Sequence, residues 1–273
     1  MFYKEYKPHE SLEEYVKCLW VLEKEYDSSN QCELVYPDSY FELLFSFGAG
    51  YELMSEKGLE KLSPVFLIGL LQKPLSLYCD GIVRIVCARF YPWGAHLFFP
   101  RSVKTSNDTT SSIEFKHGRI IEEIKTLVRR GDYDAAARHL EHALLEFSVE
   151  AIYDKQLVKN AAGYLFQRKG QCKIEDVAEM CHRSLRQVQR VVSEELGVSM
   201  KSMSQNFRFD EVKKHLTKDP DADLTATAYE FGFFDQAHFI KEFRRFTGKS
   251  PSEFCKEIKA IKAHWDKNVV FLQ

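Results

Sequence analysis

A chain of 273 residues, 45% hydrophobic and 14% aromatic, is too long for one ordinary domain and suits two packed units; a largely disordered chain is excluded. The N-terminus MFYKEYKPHESLEEY is charged from its fourth residue and no stretch nears about 18 uncharged apolar residues, so neither a signal peptide nor a membrane span is expected, and the cytoplasm is the expected compartment. The net charge of -2 hides an acidic front, with 17 basic and 24 acidic residues over 1–154, and a basic back, with 21 and 16 over 155–273, so only the back is expected to meet a polyanion.

In chain order, YVKCLWVLEKEY (15–26), YFELLFSFG (40–48), SPVFLIGLL (63–71) and GIVRIVCARFYPW (81–93) are short apolar or alternating runs rich in Val, Ile, Phe and Tyr. They read as strands. Pro37-Asp38, Gly48-Ala49-Gly50, Pro74 and Asp80-Gly81 punctuate them. No helical pattern long enough for a parallel crossover lies between them, which predicts an antiparallel β-barrel or sandwich over residues 1–110, closed by the polar loop KTSNDTTSS (104–112). Ile120, Ile121, Ile124, Leu127 and Val128, and then Ala136, Leu140, Ala143, Leu144 and Phe147, recur at helical spacing. They predict a helical hairpin over 111–152, either a spacer packed on the β domain or a dimerisation surface. An all-helical unit is expected over 153–262, with a tail over 263–273. The whole is α+β.

Within the helical unit, a loose repeat of about fifty residues stands out. In KIEDVAEMCHRSLRQVQRVVSEELG (173–197), Ile174, Val177 and Ala178 mark one short helix, and Ser184 with Gln187 forms a capping box for the next. Val188, Val191, Val192 and Leu196 face inward and Gly197 supplies the stop. Arg186, Gln189, Arg190 and Ser193 then form one outward polar stripe. Arginine can bond guanine O6 and N7 with two donors, and glutamine can bond adenine N6 and N7, so the stripe suits a major groove. Arg183, just before the helix, suits a phosphate. In DLTATAYEFGFFDQAHFIKEFRRFTGKSPSEF (223–254) the logic repeats. Asp235 caps a helix whose core stripe is Phe239, Phe243 and Phe246, and whose opposite face carries Gln236, Ala237, His238 and Lys241 toward bases, with Arg244 and Lys249 toward phosphates. MKSMSQNFRFDEVKKHL (200–216) reads as one connecting helix, and the pair of units predicts a double-stranded DNA partner.

Residues 172–258 resemble the DNA-binding domain of AraC-type (AraC/XylS) transcription regulators. The resemblance rests on Ala228-x-x-x-Gly232-Phe233-x-Asp235-x-x-x-Phe239-x-x-x-Phe243-x-x-x-x-Gly248-x-Ser250-Pro251, and on Ala178, Ser184, Arg190, Gly197 and Arg208. His182 departs from it, standing where the family usually has Gly; this is tolerable if the residue is left-handed. Met200, Thr227, Ala237 and Lys241 are further departures. The resemblance implies base contacts at Arg186, Gln189 and Arg190, and at Gln236, Ala237, His238 and Lys241. It also implies RNA polymerase as a second partner, and a cupin-like front domain that binds a small effector and in some members makes a homodimer. Trp20, Tyr36, Phe45, Phe90 and Trp93 are candidate pocket residues there, each more often plain core.

Two other classes compete. No G-x-S-x-G, P-loop or H-E-x-x-H is present, so no catalytic residue, metal or cofactor is expected and the chain does not read as an enzyme. Cys18, Cys32, Cys79, Cys87, Cys172, Cys181 and Cys255 never form C-x-x-C and suit reduced core thiols, with a redox- or metal-sensing regulator as the alternative. A helical protein-interaction module that does not bind DNA is the remaining alternative.

Overall fold

The structure, a computed structural model, describes residues 1–28, 31–55, 58–113, 118–148 and 156–264. The expected start of the helical unit at 153, most of the expected tail, and the side chain of Phe147 lie outside the described residues.

The front of the chain forms two antiparallel sheets. The larger runs in the order β1 (Phe2–Tyr6), β2 (Val16–Tyr26), β9 (Gly81–Phe90), β4 (Phe41–Gly48), β7 (Val65–Ile68), β10 (Thr110–Ser112). The smaller runs β3 (Cys32–Val35), β8 (Leu75–Tyr78), β5 (Glu52–Ser55), β6 (Gly58–Lys61). The antiparallel character expected from the sequence is present, and of the barrel and sandwich it left open the structure shows two open sheets rather than one closed barrel. The long runs read from the sequence are β2, β4, β7 and β9; the shorter, more polar strands lack enough alternation to stand out.

Why the long runs are almost continuously apolar is clear from the layers. Along β2 and β9, side chains alternate between two cores. Trp20, Leu22, Ile85 and Cys87 face the smaller sheet together with Leu44 and Phe66, and share a core with Leu77 of that sheet. Leu19, Val21, Val86, Ala88 and Phe90 face the opposite way, toward helices. A sheet covered on both faces requires apolar residues at odd and even positions alike.

The helical cover is the hairpin α3 (Gly118–Arg129) and α4 (Tyr133–Ser148), with the short α1 (Pro92–Phe98) and α2 (Pro100–Thr105). Ile120, Ile124 and Val128 of α3, and Ala136, Leu140 and Leu144 of α4, enter the same core as Phe45 and Phe90. Of the two roles open for the hairpin, packing on the β domain is the one seen here. The polar run 104–112 is not a plain loop. It holds the end of α2 and the edge strand β10, which pairs with β7.

Seven helices follow over the described remainder: α5 (Gln156–Gln167), α6 (Ile174–Met180), α7 (Leu185–Leu196), α8 (Met200–Lys218), α9 (Leu224–Glu230), α10 (Gln236–Thr247) and α11 (Pro251–His264). The core beneath the larger sheet runs on without a break through α5, α6 and α7. A separate core under α8 to α11 is built on Phe209, Phe239, Phe243, Phe246 and Phe254. Gly170 ends the α5 turn at φ +67, where an added Cβ would lie 2.0 Å from the Ser204 carbonyl oxygen, so α5 and α8 meet closer there than any side chain permits. Among the described residues no helix is long and apolar enough to cross a membrane.

Candidate DNA-binding interface

The first reader begins at Ser184, in extended conformation. Its hydroxyl accepts from the Gln187 amide at 3.4 Å, and its own amide donates to Gln187 Oε1 at 3.1 Å. This reciprocal pairing satisfies two otherwise open groups at the helix start. Gly197 closes the helix at φ +70. Val188, Val192 and Leu196 are buried; Arg186, Gln189, Arg190 and Ser193 are exposed. Arg190 reaches Glu194 one turn on at 3.5 Å, a weak surface pair that leaves it able to swing away. Arg183 is exposed and donates to the His182 carbonyl at 3.1 Å.

His182 sits in the turn between α6 and α7 at φ +50, the left-handed conformation its position demands. For a residue with a Cβ that conformation costs about 1–2 kcal/mol, part of which glycine would return through its more flexible unfolded chain. His182→Gly should therefore raise the stability by about 0.5–1 kcal/mol. Chemical denaturation checks this, and a destabilised variant would count against the account.

The second reader repeats the construction with other residues. Asp235 Oδ1 accepts from the His238 amide at 2.7 Å, and Gly248 ends α10 at φ +74. Phe239, Phe243 and Phe246 are buried on its back, while Gln236, Ala237, Lys241, Arg244 and Arg245 are exposed and His238 is half-buried. Lys249 is half-buried, its ammonium held by both Glu257 oxygens at 2.7 and 2.6 Å, so a phosphate would have to compete with that carboxylate.

Sequence reasoning missed how this reader is held. The Arg208 guanidinium of α8 donates to the Gly232 carbonyl at 3.2 Å, lies 4.7 Å from the centre of the Phe233 ring, and pairs with Glu242 of α10 at 3.7 Å. Gln205 also donates to Glu242, at 3.2 Å. The connecting helix thus grips both the turn and the reader. Phe234, in the turn itself, is 85% exposed beside the start of α10, which the sequence reading passed over.

Nor did the sequence show how α8 meets the β domain. Asn206, fully buried, donates to the Leu71 carbonyl at 2.9 Å and accepts from Gln72 Nε2 at 2.7 Å. Lys213 donates to the Pro37 carbonyl at 3.1 Å and lies 3.5 Å from Asp210, which Lys214 holds at 2.9 Å. Burial opposes ionisation of Asp210, but these two ammonium groups hold its carboxyl below the usual range. On the β side, burial pushes Asp38 up to about 7 against the pull of Lys213 and Arg89. The available signal was polar spacing: Asn206, Asp210 and Lys213 fall at i, i+4, i+7, one face of the helix. The first reader is attached more directly. Asn107 donates to the Leu196 carbonyl at 2.9 Å, and His96 of α1 lies 3.1 Å from Glu195.

The candidate pocket residues do not come together. Trp20 and Tyr36 line a space of about 60 Å³ between the sheets, with Arg89 and Glu42, which pair at 2.6 Å. Phe45 and Phe90 lie on the opposite face of the larger sheet, in the helix-facing core. Trp93 lines a wider cleft of about 620 Å³ against α5 and donates to the Glu14 carbonyl at 2.8 Å. Alternation along the strands divides residues that composition alone had grouped.

Of the cysteines, Cys18, Cys79, Cys87 and Cys255 are buried, Cys172 and Cys181 half-buried and Cys32 exposed. Burial pushes Cys18 up to about 12 and Cys79 up to about 11, which disfavours the thiolate that redox or metal chemistry uses. Among the described residues, no three His, Cys, Asp or Glu side chains gather as a metal site.

Two capped readers in tandem, each with a buried back and an exposed polar face, are a pair of helix-turn-helix units. Residues 177–257 match the family described as a helix-turn-helix domain, and residues 4–112 match a domain of unknown function, DUF6597. A helix-turn-helix-type transcriptional regulator of Haemophilus influenzae is 27% identical over 124 residues, which is 44% of this chain and 41% of that protein. The match therefore spans less than half the length of that relative. Among solved structures, ToxT from Vibrio cholerae superposes at TM-score 0.48 with 11% identity, covering 87% of this chain and 97% of ToxT. The C-terminal domain of AraT, a response regulator from Geobacillus stearothermophilus, does so at TM-score 0.35 and 19% identity, covering 43% and 93%.

Proposed function

We propose that this protein is a sequence-specific, cytoplasmic regulator of transcription that places α7 and α10 in two successive major grooves of one operator, under the influence of a small effector bound by its β domain. The observation that carries this is the two-sidedness of both helices. Their apolar backs are consumed by the cores, and their guanidinium, amide and ammonium groups stand in solvent. At about 1.5 Å per residue, the 19 residues of α8 span roughly 28 Å, which with its flanking turns suits readers about one DNA turn, roughly 34 Å, apart. The proposed division is an effector unit over 1–110, the hairpin over 111–152 and the DNA-binding unit over 153–262, with RNA polymerase a further partner by resemblance.

In this reading Arg186, Gln189 and Arg190, and Gln236, Ala237, His238 and Lys241, face base edges. Arg183, Arg244 and, after release from Glu257, Lys249 face phosphates. The continuous packing of the β domain against α5 to α8 supports an effector influence, because a ligand that favours one arrangement of the seam alters how the readers are held.

The test begins with an operator selected from a random duplex library. Arg190→Ala should lose about 1–3 kcal/mol of discrimination at one base position. Arg244→Ala should weaken binding to all sequences alike and reduce the salt slope by about one. Affinity that stays level between 50 and 200 mM salt would refute DNA binding and favour an apolar protein interface instead.

A further inference from the structure

A third cavity lies where the two sheets meet the helical hairpin. It holds about 270 Å³ between the turn at 46–50, the connection at 61–64, Arg84 of β9, and α3. We propose that this cavity is a binding site for a small organic anion, a carboxylate or a phosphate monoester on a compact apolar body. The proposal rests on the reading of the β domain as the effector domain, and gives that effector a place and a chemical class.

Two observations carry it. Lys61, Arg84, Lys125 and Arg129 line the cavity against one carboxylate, Glu122. Arg84 is committed to Glu23 at 2.6 Å and Lys125 to Glu122 at 2.9 Å. Lys61 and Arg129 have no ion pair among the described residues, and they converge on the cavity from different elements. This is a concentration of positive charge inside the part of the chain that is otherwise acidic. Like charges brought together in a partly enclosed space repel one another, and an anion between them relieves that repulsion more strongly than it would in open water.

The second is the lining opposite these charges. Phe47, Tyr51, Leu62 and Ile121 offer apolar surface, so the complement is an anion with an apolar body rather than a bare inorganic ion. The lining residues come from stretches some eighty positions apart, gathered only by the packing of α3 against the β domain.

Thermal unfolding of the full chain tests this with sodium benzoate, succinate and inorganic phosphate as probes, each at 10 mM and at matched ionic strength in sodium chloride. Benzoate or succinate should raise the midpoint by about 2 °C or more relative to chloride. Lys61→Ala combined with Arg129→Ala should abolish that rise. The variants' own midpoints show whether they fold. If no probe raises the midpoint, or if the double variant responds like the parent chain, the site is refuted. A rise with phosphate alone would equally refute an organic-anion site. Operator affinity with and without the bound probe separates the two readings: a site that binds but leaves operator affinity unchanged upholds the anion site and overturns its role as effector.

Discussion

Phe243→Ala should cost about 3–5 kcal/mol and cripple the second reader while leaving the first in place. Phe243 is 1% exposed and sits at the centre of an aromatic cluster, with ring centres at 5.4 Å from Phe209, 5.8 Å from Phe239 and 5.4 Å from Phe254. Truncation removes the transfer energy of a phenyl group and leaves a cavity that three stiff rings cannot fill. The core of this unit is small and separate from the one that supports α7, so it has little reserve from which to absorb such a loss. Operator affinity should then fall by about a hundredfold or more, since the second contact would no longer be made at high effective concentration. The protected region in a footprint should shrink to the half contacted by α7. A full-length footprint together with an unchanged unfolding midpoint would show that this cluster does not hold the reader.

Asn206→Ala should act on the seam rather than on either reader. The side chain serves the Leu71 carbonyl and the Gln72 amide at once, from a fully buried position in α8. Removing it strands both partners and opens a small void, a combined cost of about 2–4 kcal/mol. That loss falls on the contact between the β domain and the connecting helix. We expect unfolding to change from one cooperative transition to two, with the α8 to α11 portion melting first. Calorimetry with circular dichroism reads this directly. If the variant keeps a single transition and merely melts earlier, the seam is not what joins the two portions.

Much of the reading unit was legible before any coordinates. Ser184 with Gln187, Asp235, and the glycines at 197 and 248 are local signals: a cap or a left-handed stop acts on amides within one turn of itself, so its effect does not depend on the rest of the fold. The stripes were legible for a similar reason, since a helix with one buried side writes its period into the chain. His182 is instructive because it stands where the family usually has Gly, and its position demands the left-handed turn that glycine adopts without cost. The surrounding helices impose the geometry, and φ at +50 follows.

What stayed hidden has one physical cause, which is burial on more than one side. Strands such as β4, with Leu44 facing the smaller sheet and Phe45 facing the helices, show no alternation from which the layers could be assigned, so barrel and sandwich both stayed open and two open sheets were the outcome. The same ambiguity gathered Trp20, Phe45, Phe90 and Trp93 into one supposed pocket, although pleating sends them to three different places. In α8, polar Asn206 and Lys213 bond carbonyls of two separate loops more than 130 positions earlier, partners that no helical period names.

The sequence by itself determined the two capped, polar-faced helices and the apolar backs that seat them, because capping and helical period are short-range consequences of residue type. Only the tertiary structure decided how the readers are fastened to the β domain and where its cavities lie. Those depend on long-range contacts between groups whose partners no local pattern names.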